Sequence, residues 1–242
     1  MRNIKLVVEY DGTNFFGWQK QVQQRTVQEE IEKILEQVLQ HTISLLGAGR
    51  TDAGVHAKGQ VANFLTETPL ANEKIFSALN GLLPEDIAIL SVENVPPEFH
   101  SRYSAREREY VYTIATQPSA LHRKFCWEFF FSLDIERMNA AAVQISGEHN
   151  FSSFCKNISE QENTACTVYS AEWKRELPFL KFTIRGNRFL HGMVRTLVGT
   201  LVDVGRDAVT LEEFSTILHS HNRSNASQSA PAKGLCLEKV IY

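Results

Sequence analysis

Asp52 is the residue of this chain best placed for covalent or proton-transfer chemistry. It lies at the centre of Gly47-Ala-Gly-Arg-Thr-Asp-Ala-Gly-Val-His-Ala-Lys-Gly-Gln60, a segment with four glycines. It is the only acid between Glu36 and Glu67, a span that also holds Arg50 and Lys58. Nearby positive charge favours the charged carboxylate, the form that acts as nucleophile or base. Glycine permits tight turns and close approach of backbone to a ligand. The same residues also suit a plain hairpin turn in which Arg50 and Asp52 only face solvent. Composition leaves both readings open.

Arg195 is the second candidate. It lies in Leu190-His-Gly-Met-Val-Arg-Thr-Leu-Val-Gly-Thr-Leu-Val202, a stretch that is otherwise nearly all apolar or small. A cation on so apolar a helix needs a partner, because an unpaired buried charge is costly. No acid lies within one turn, so the partner is distant in sequence. Asp52 is one choice; an ordinary structural carboxylate, or snorkelling to the surface, is another. Gly192 and Gly199 are expected to share a face of this helix and admit close backbone contact. Tyr110 is the third candidate, following Arg106, Arg108 and Glu109 on an aromatic strand. A tyrosine there can stack on a base, act as acid or base, or simply fill a core.

Other chemistries find little support. His219-Ser-His221 is the only close histidine pair, and it lacks nearby cysteine or carboxylate partners, so no metal site is expected. There is no Walker loop, no GxGxxG and no serine elbow. Lys58-Gly-Gln-Val-Ala-Asn-Phe64 partly matches an RNA-recognition signature. Gln60 and Ala62 stand where that signature wants stacking or bulky groups.

The elements that must position these residues follow from periodicity. Ile4–Tyr10 reads as a strand. Thr26 and Glu29 have capping-box spacing at the start of a helix with an apolar stripe of Val27, Ile31, Ile34, Leu35, Val38 and Leu39. Strands over Ile43–Ala48 and Gln60–Thr66 are expected to flank the glycine-rich segment. A helix over Asn72–Leu82 closes before Pro84, and a strand over Ile87–Val95 ends at Pro96-Pro97. The second half repeats the alternation. Strands are predicted over Arg108–Thr116, Val168–Trp173, Leu180–Arg185 and Leu235–Ile241, and helices over Asp134–Ile145, Leu190–Val204 and Leu211–His219. On the first of these strands Tyr110, Tyr112 and Ile114 share a face. Ser220–Ser229 reads as a loop. The pattern predicts an α+β protein of two ferredoxin-like or RRM-like halves. Largely antiparallel sheets would form a central cleft, with helices on the outer face. The boundary is placed near Tyr103–Arg108, giving halves 1–104 and 105–242.

Composition agrees with a soluble globular protein: 242 residues, 43% hydrophobic and 22% charged. No apolar run reaches the roughly 18 residues of a membrane span, and the N-terminus reads as a strand rather than a signal peptide. Cys126, Cys155, Cys166 and Cys236 are scattered, which favours free thiols in a cytoplasmic setting. Net charge is −3, yet charge is segregated. Gly12–Gln28 has no acid but holds Lys20 and Arg25, and Phe179–Val202 has none but holds Lys181, Arg185, Arg188 and Arg195. Acids gather at Glu29-Glu30, Glu160-Gln-Glu162 and Glu212-Glu213. If this segregation persists in space, it builds a basic face. Trp127, Phe129, Phe130 and Phe131 suit either a core or an interface.

Taken in order, these blocks resemble the tRNA pseudouridine synthase A family along nearly the whole chain. The match includes Tyr10-Asp-Gly-Thr-Asn-Phe-Phe-Gly-Trp18, Arg25-Thr-Val-Gln-Glu-Glu30 and Gly49-Arg-Thr-Asp-Ala-Gly-Val-His-Ala57. It continues through Phe99–Arg106 with Tyr110, Gly147–Phe154, Asn187–Gly199 and Ala230-Pro-Ala-Lys-Gly-Leu235. Cys155 stands where many members carry arginine and Cys236 where tyrosine is common, which bears on local RNA contacts. The resemblance implies isomerisation of uridine at positions 38, 39 and 40 of the tRNA anticodon stem-loop, with no cofactor and no metal. It implies Asp52 as nucleophile, Tyr110 packing on the target uridine, Arg50 holding the flipped nucleotide open, and Arg195 pairing with the aspartate. It also implies a homodimer with tRNA as partner. A base must leave its stack before an enzyme reaches its glycosidic bond, and the basic tracts would hold phosphates. Two other readings use the same residues: a non-catalytic RNA-binding protein, and an acid/base hydrolase of a small substrate.

Overall fold

Alternating apolar residues at Ile4, Leu6, Val8 and Tyr10 make one face of the first strand, β1 (Arg2–Tyr10), almost fully buried. The computed structural model describes residues 1–160 and 163–242. Gln161 and Glu162 of the acidic run lie outside them. Helix α1 (Val27–Leu39) follows, burying Val27, Ile31, Ile34, Leu35 and Leu39 as its stripe predicts, with Val38 at the margin. Next come β2 (Leu46–Gly47), β3 (His56–Thr66), α2 (Asn72–Leu82) and β4 (Ile87–Val95). β1 lies between β3 and β4, antiparallel to both. Its register sets Ile4 opposite Phe64 and Leu6 opposite Ala62, so their side chains share the covered face.

Three local expectations change. Thr26 caps α1 by position only: its side chain makes no cap hydrogen bond, and its buried Oγ1 finds no partner among the described residues. The strand expected over Ile43–Ala48 contracts to Leu46–Gly47, although Ile43, Leu45 and Ala48 are buried. β3 begins at His56, four residues earlier than expected, so it takes in the end of the glycine-rich segment.

In the second unit, β5 (Glu107–Ala115) buries Arg108, Tyr110, Tyr112 and Ile114 on one face. The two-residue β6 (Trp127–Glu128) pairs parallel with its end. Then follow α3 (Ile135–Val143), capped by the Asp134 side chain on the Arg137 N–H, β7 (Gly147–Asn150), β8 (Ala165–Glu176) and β9 (Phe179–Gly186). Sheet order is β5-β9-β8-β7, all antiparallel, with Tyr110 opposite Ile184 and Tyr112 opposite Phe182. Helix α4 (Met193–Gly205) is buried at nearly every position, and α5 (Leu211–His219) starts at a complete Thr210/Glu213 capping box. A Cβ on Gly205 would lie 2.5 Å from Met138 Sδ, so α3 and α4 approach closely there. Gly199 does admit close backbone contact: a Cβ would lie 2.0 Å from the Gln228 carbonyl oxygen. Gly192 does not share the helix face with it. It is the N-cap, with φ +69°, and a Cβ there would lie 3.2 Å from Lys156 Cβ, so its close contact is with a different segment.

The last strand, β10 (Leu235–Ile241), ends the chain. Residues 237–242 belong with 1–106 in the first compact unit, and 107–236 form the second. The chain therefore does not divide simply into 1–104 and 105–242. Contacts within the first unit account for the return. The Tyr242 hydroxyl donates to the Ser101 carbonyl (2.7 Å), its ring packs on Phe99, and the Arg106 N–H donates to the Ile241 carbonyl.

All four cysteines are free thiols, and burial pushes Cys166 up to about 11. Of the aromatic run, Trp127 and Phe129 stack edge to face and are half-buried, while Phe130 and Phe131 are exposed. No helix among the described residues is long and apolar enough to cross a membrane.

Candidate active site

Asp52 sits half-buried in the loop between β2 and β3. The loop is held from several sides within the first unit. At its base Ala48 N–H donates to the Val61 carbonyl and the buried Gln60 side chain donates to the Gly49 carbonyl. Thr51, one residue before Asp52, is buried; its carbonyl accepts from the Trp18 N–H (3.1 Å) and its hydroxyl meets Tyr10 Oη at 2.7 Å. After Asp52, Gly54 N–H donates to the Phe15 carbonyl, and Val55 N–H closes a turn onto the Asp52 carbonyl. Gly54 adopts φ +76°, a conformation that favours glycine.

The clamp is the segment Tyr10–Trp18. Its own glycines are what let it approach: a Cβ on Gly12 would lie 2.0 Å from the Val55 carbonyl oxygen, and one on Gly17 would lie 2.5 Å from the Thr51 carbonyl oxygen. His56 ties the same two segments, its Nδ1 lying 3.0 Å from the Gly12 N–H and 3.1 Å from Asp11 Oδ1. The two glycine-containing stretches thus fix each other's backbone, and with it the main chain that carries Asp52. Arg50 is exposed two residues away and forms no ion pair among the described residues.

Tyr110 and Arg195 belong to the second unit. Tyr110 is 8% exposed and meets the Phe189 ring edge-on at 5.4 Å. Arg195 is half-buried in the first turn of α4, where no acid offsets the positive end of the helix dipole. Its guanidinium and its main chain both engage Ala230: Nε donates to the Ala230 carbonyl (2.9 Å), and Ala230 N–H donates to the Arg195 carbonyl (2.9 Å). The Ala230–Gly234 segment also orders β5. Tyr112 Oη donates to the Pro231 carbonyl, and a Cβ on Gly234 would strike the Tyr112 ring at 2.5 Å. Burial pushes the Tyr112 phenol well above its ordinary range, with Arg195 opposing the shift.

The expected basic tracts are largely neutralised. Arg25 makes a two-point pair with Asp86 (2.7 and 2.9 Å) and another with Glu30, and its charge is held firmly by them. Lys20 lies 3.6 Å from Glu32. Lys181 pairs with Glu176, and Arg185 with Glu107. Charge segregated along the chain is re-mixed by strand pairing, which sets Glu109 opposite Arg185. Cys155 is fully buried and presents no surface.

The supporting residues Tyr10, Gly12, Gly17, Trp18 and His56 had no assigned role in the sequence. Tyr10, Gly12, Gly17 and Trp18 do fall in one motif and His56 in the other, but neither motif says that the two lie against each other.

The tRNA pseudouridine synthase family matches residues 6–104 and 141–242. The chain is 42% identical over 244 residues to tRNA pseudouridine synthase A of Clostridium acetobutylicum, covering 100% of both. It is 43% identical to that of Clostridium kluyveri with the same coverage. It is 42% identical over 242 residues to that of Chlorobaculum tepidum, covering 100% of this chain and 98% of the other. Among solved structures, a Cbf5-Nop10-Gar1 complex superposes with TM-score 0.36 at 11% identity, over 96% of this chain and 57% of that one. By its family match and its full-length relatives, the chain belongs to the tRNA pseudouridine synthases, a family of isomerases.

Proposed function

We propose that this protein converts uridine to pseudouridine at positions 38, 39 and 40 in the anticodon stem-loop of tRNA, with Asp52 as the nucleophile. The observation that carries this reading is the clamped loop. Asp52 is half-buried, and its flanking residues are held by hydrogen bonds: Thr51 by Trp18 and Tyr10, and Gly54 by the Phe15 carbonyl, which limits where a reactive carboxylate can go. In the reaction the C1′–N1 bond breaks, the uracil turns, and a C1′–C5 bond forms. The C5 proton is lost and N1 gains one, so no atoms are added overall. Asp52 supplies either the covalent attack, at C1′ or on the base, or the first proton removal at C2′. Tyr110 packs on the target uridine, Arg50 holds the flipped nucleotide open, and Arg195 is the basic partner of the carboxylate. No cofactor or metal takes part in this scheme. We place the enzyme in the cytoplasm, as a homodimer that engages tRNA.

The test is an unmodified tRNA transcript incubated with protein, then mass mapping after pseudouridine-specific derivatisation. The wild type should modify positions 38–40. Asp52→Asn should bind the transcript and form no pseudouridine. Substantial turnover by Asp52→Asn removes the nucleophile assignment. Identical behaviour of the two proteins in every assay favours a non-catalytic RNA-binding role.

A further inference from the structure

Phe16 is a large aromatic held facing solvent, 54% exposed, between the buried residues Phe15 and Gly17. An exposed phenyl ring is unremarkable when its backbone is loose. Here both backbone polar groups are fixed: its N–H donates to the Arg25 carbonyl (2.9 Å), and its carbonyl accepts from the Gln21 side chain (2.9 Å). Both flanking residues are fastened to the Asp52 loop. The Phe15 carbonyl accepts from Gly54 N–H, and Gly17 packs against the Thr51 carbonyl. The ring is therefore carried on the same rigid piece of backbone that positions Asp52. Among the described residues it stacks on no other ring.

From this placement we infer that Phe16 is a stacking platform for an unpaired or unstacked nucleobase of the RNA substrate, beside the reacting nucleotide. The inference rests on the proposed reaction at Asp52. The surroundings are mostly polar, with Val22 the one other exposed apolar side chain of the segment, which suits a base. The exposed residues beyond it are Gln19, Lys20, Gln21, Val22 and Gln23: the Gln19 and Gln23 amides can meet base edges, Lys20 keeps an exposed ammonium although it lies 3.6 Å from Glu32, and no acid lies between Gly12 and Gln28. Aromatic stacking tolerates any base because every base has a π face, so Phe16 would contribute affinity and placement rather than sequence choice. A pre-fixed backbone leaves only the side-chain rotation of Phe16 to be lost on binding.

The experiment compares Phe16→Ala, Phe16→Leu and Phe16→Tyr in the full-length protein. Dissociation constants for an unmodified tRNA transcript are measured on the Asp52→Asn background, and kcat/KM on the otherwise wild-type chain. Phe16→Ala and Phe16→Leu should each weaken binding about tenfold, and Phe16→Tyr should stay within about twofold of the parent. Leucine keeps the apolar surface but has no π face, so its loss separates stacking from mere burial. Wild-type affinity in both Phe16→Ala and Phe16→Leu overturns the inference, as does equal loss in Phe16→Tyr. A weakened affinity that tracks a changed sedimentation coefficient also overturns it, since Phe16 is then a subunit contact. If the wild type isomerises uridine while Phe16→Ala matches it, only the platform falls. If the wild type neither binds nor modifies tRNA, the proposed function falls as well.

Discussion

The Tyr10 phenol and the Thr51 hydroxyl meet at 2.7 Å in the interior of the first unit, one residue before Asp52. Tyr10 is the last residue of β1 and Thr51 lies in the loop before β3, so the bond ties a strand end to the loop that carries Asp52. Removing either hydroxyl leaves the other in a buried place. Tyr10→Phe and Thr51→Val should each destabilise the fold by about 1–2 kcal/mol. The double variant should cost less than the sum of the two, by about 1 kcal/mol, because both ends of one bond are then gone. Urea denaturation of the four proteins measures this coupling. Strictly additive losses would show that the contact contributes nothing of its own. In the isomerase assay Tyr10→Phe should lower kcat more than it raises KM.

The glycines of the clamp are predicted to be intolerant for different reasons. Gly12 has no unusual backbone angle, but a methyl group there would lie 2.0 Å from the Val55 carbonyl oxygen. Gly17 combines φ +93° with a methyl position 2.5 Å from the Thr51 carbonyl oxygen. Gly12→Ala should cost about 1–3 kcal/mol through displaced backbone, and Gly17→Ala more, since strain adds to the clash. Gly49, where a methyl group meets nothing within 4 Å, is the control: Gly49→Ala should leave the thermal midpoint within a few degrees of wild type. A Gly12→Ala protein with unchanged midpoint and unchanged turnover would mean that the two segments are free to move apart.

How much of this was legible beforehand depends on the range of the interaction. Helix and strand periods were readable because burial is local and periodic: the α1 stripe and the Tyr110/Tyr112/Ile114 face are found as expected. Asp52 stood out because it was a lone acid among glycines. The clamp was not readable, since nothing in Gly12 or Gly17 says which carbonyl will lie against them. The same holds for charge. Arg25 looked available in a stretch without acids, but Asp86 takes it from 61 residues away. Thr26 had the right neighbour for a capping box, yet its buried hydroxyl has no partner among the described residues, while Thr210 forms the complete motif. The C-terminal strand was read correctly as a strand. Its return to the first unit is set by Tyr242 and Ile241, whose partners Ser101, Phe99 and Arg106 lie more than a hundred residues back.

Stability should fall in alkaline solution through buried acids that cannot ionise in place. Burial raises the Cys166 thiol from 9.0 to about 11 and pushes the Tyr112 phenol up further. In the unfolded chain both groups lose their protons at ordinary pH values, so above pH 9 the unfolded state binds fewer protons than the folded one. Their contribution is fully present below the unfolded values and is lost as pH rises. For Cys166 the loss runs from about pH 9 to about pH 11 and amounts to roughly 2–3 kcal/mol. Cys166→Ala should flatten that part of the curve. Denaturant unfolding at pH 8 and at pH 10.5 checks it; an equal alkaline loss in the variant would assign the effect to other groups.

Arg195 separates a catalytic charge from a structural one. Its Nε–Ala230 bond orders the Ala230–Gly234 segment against α4, so part of any loss on mutation is structural. Arg195→Met should therefore cost about 1–2 kcal/mol of stability. If the guanidinium also serves the Asp52 carboxylate, kcat should fall about 100-fold or more, well beyond what that destabilisation explains. Arg195→Lys keeps the charge but not the planar donor to Ala230, so it should recover part of kcat while remaining as unstable as the methionine variant. Parallel measurement of thermal midpoint and single-turnover pseudouridine formation distinguishes the two roles. A methionine variant with wild-type turnover would leave Arg195 with only its contact to Ala230. A lysine variant that regains stability but not turnover would reverse the assignment, making geometry rather than charge the contribution of this residue.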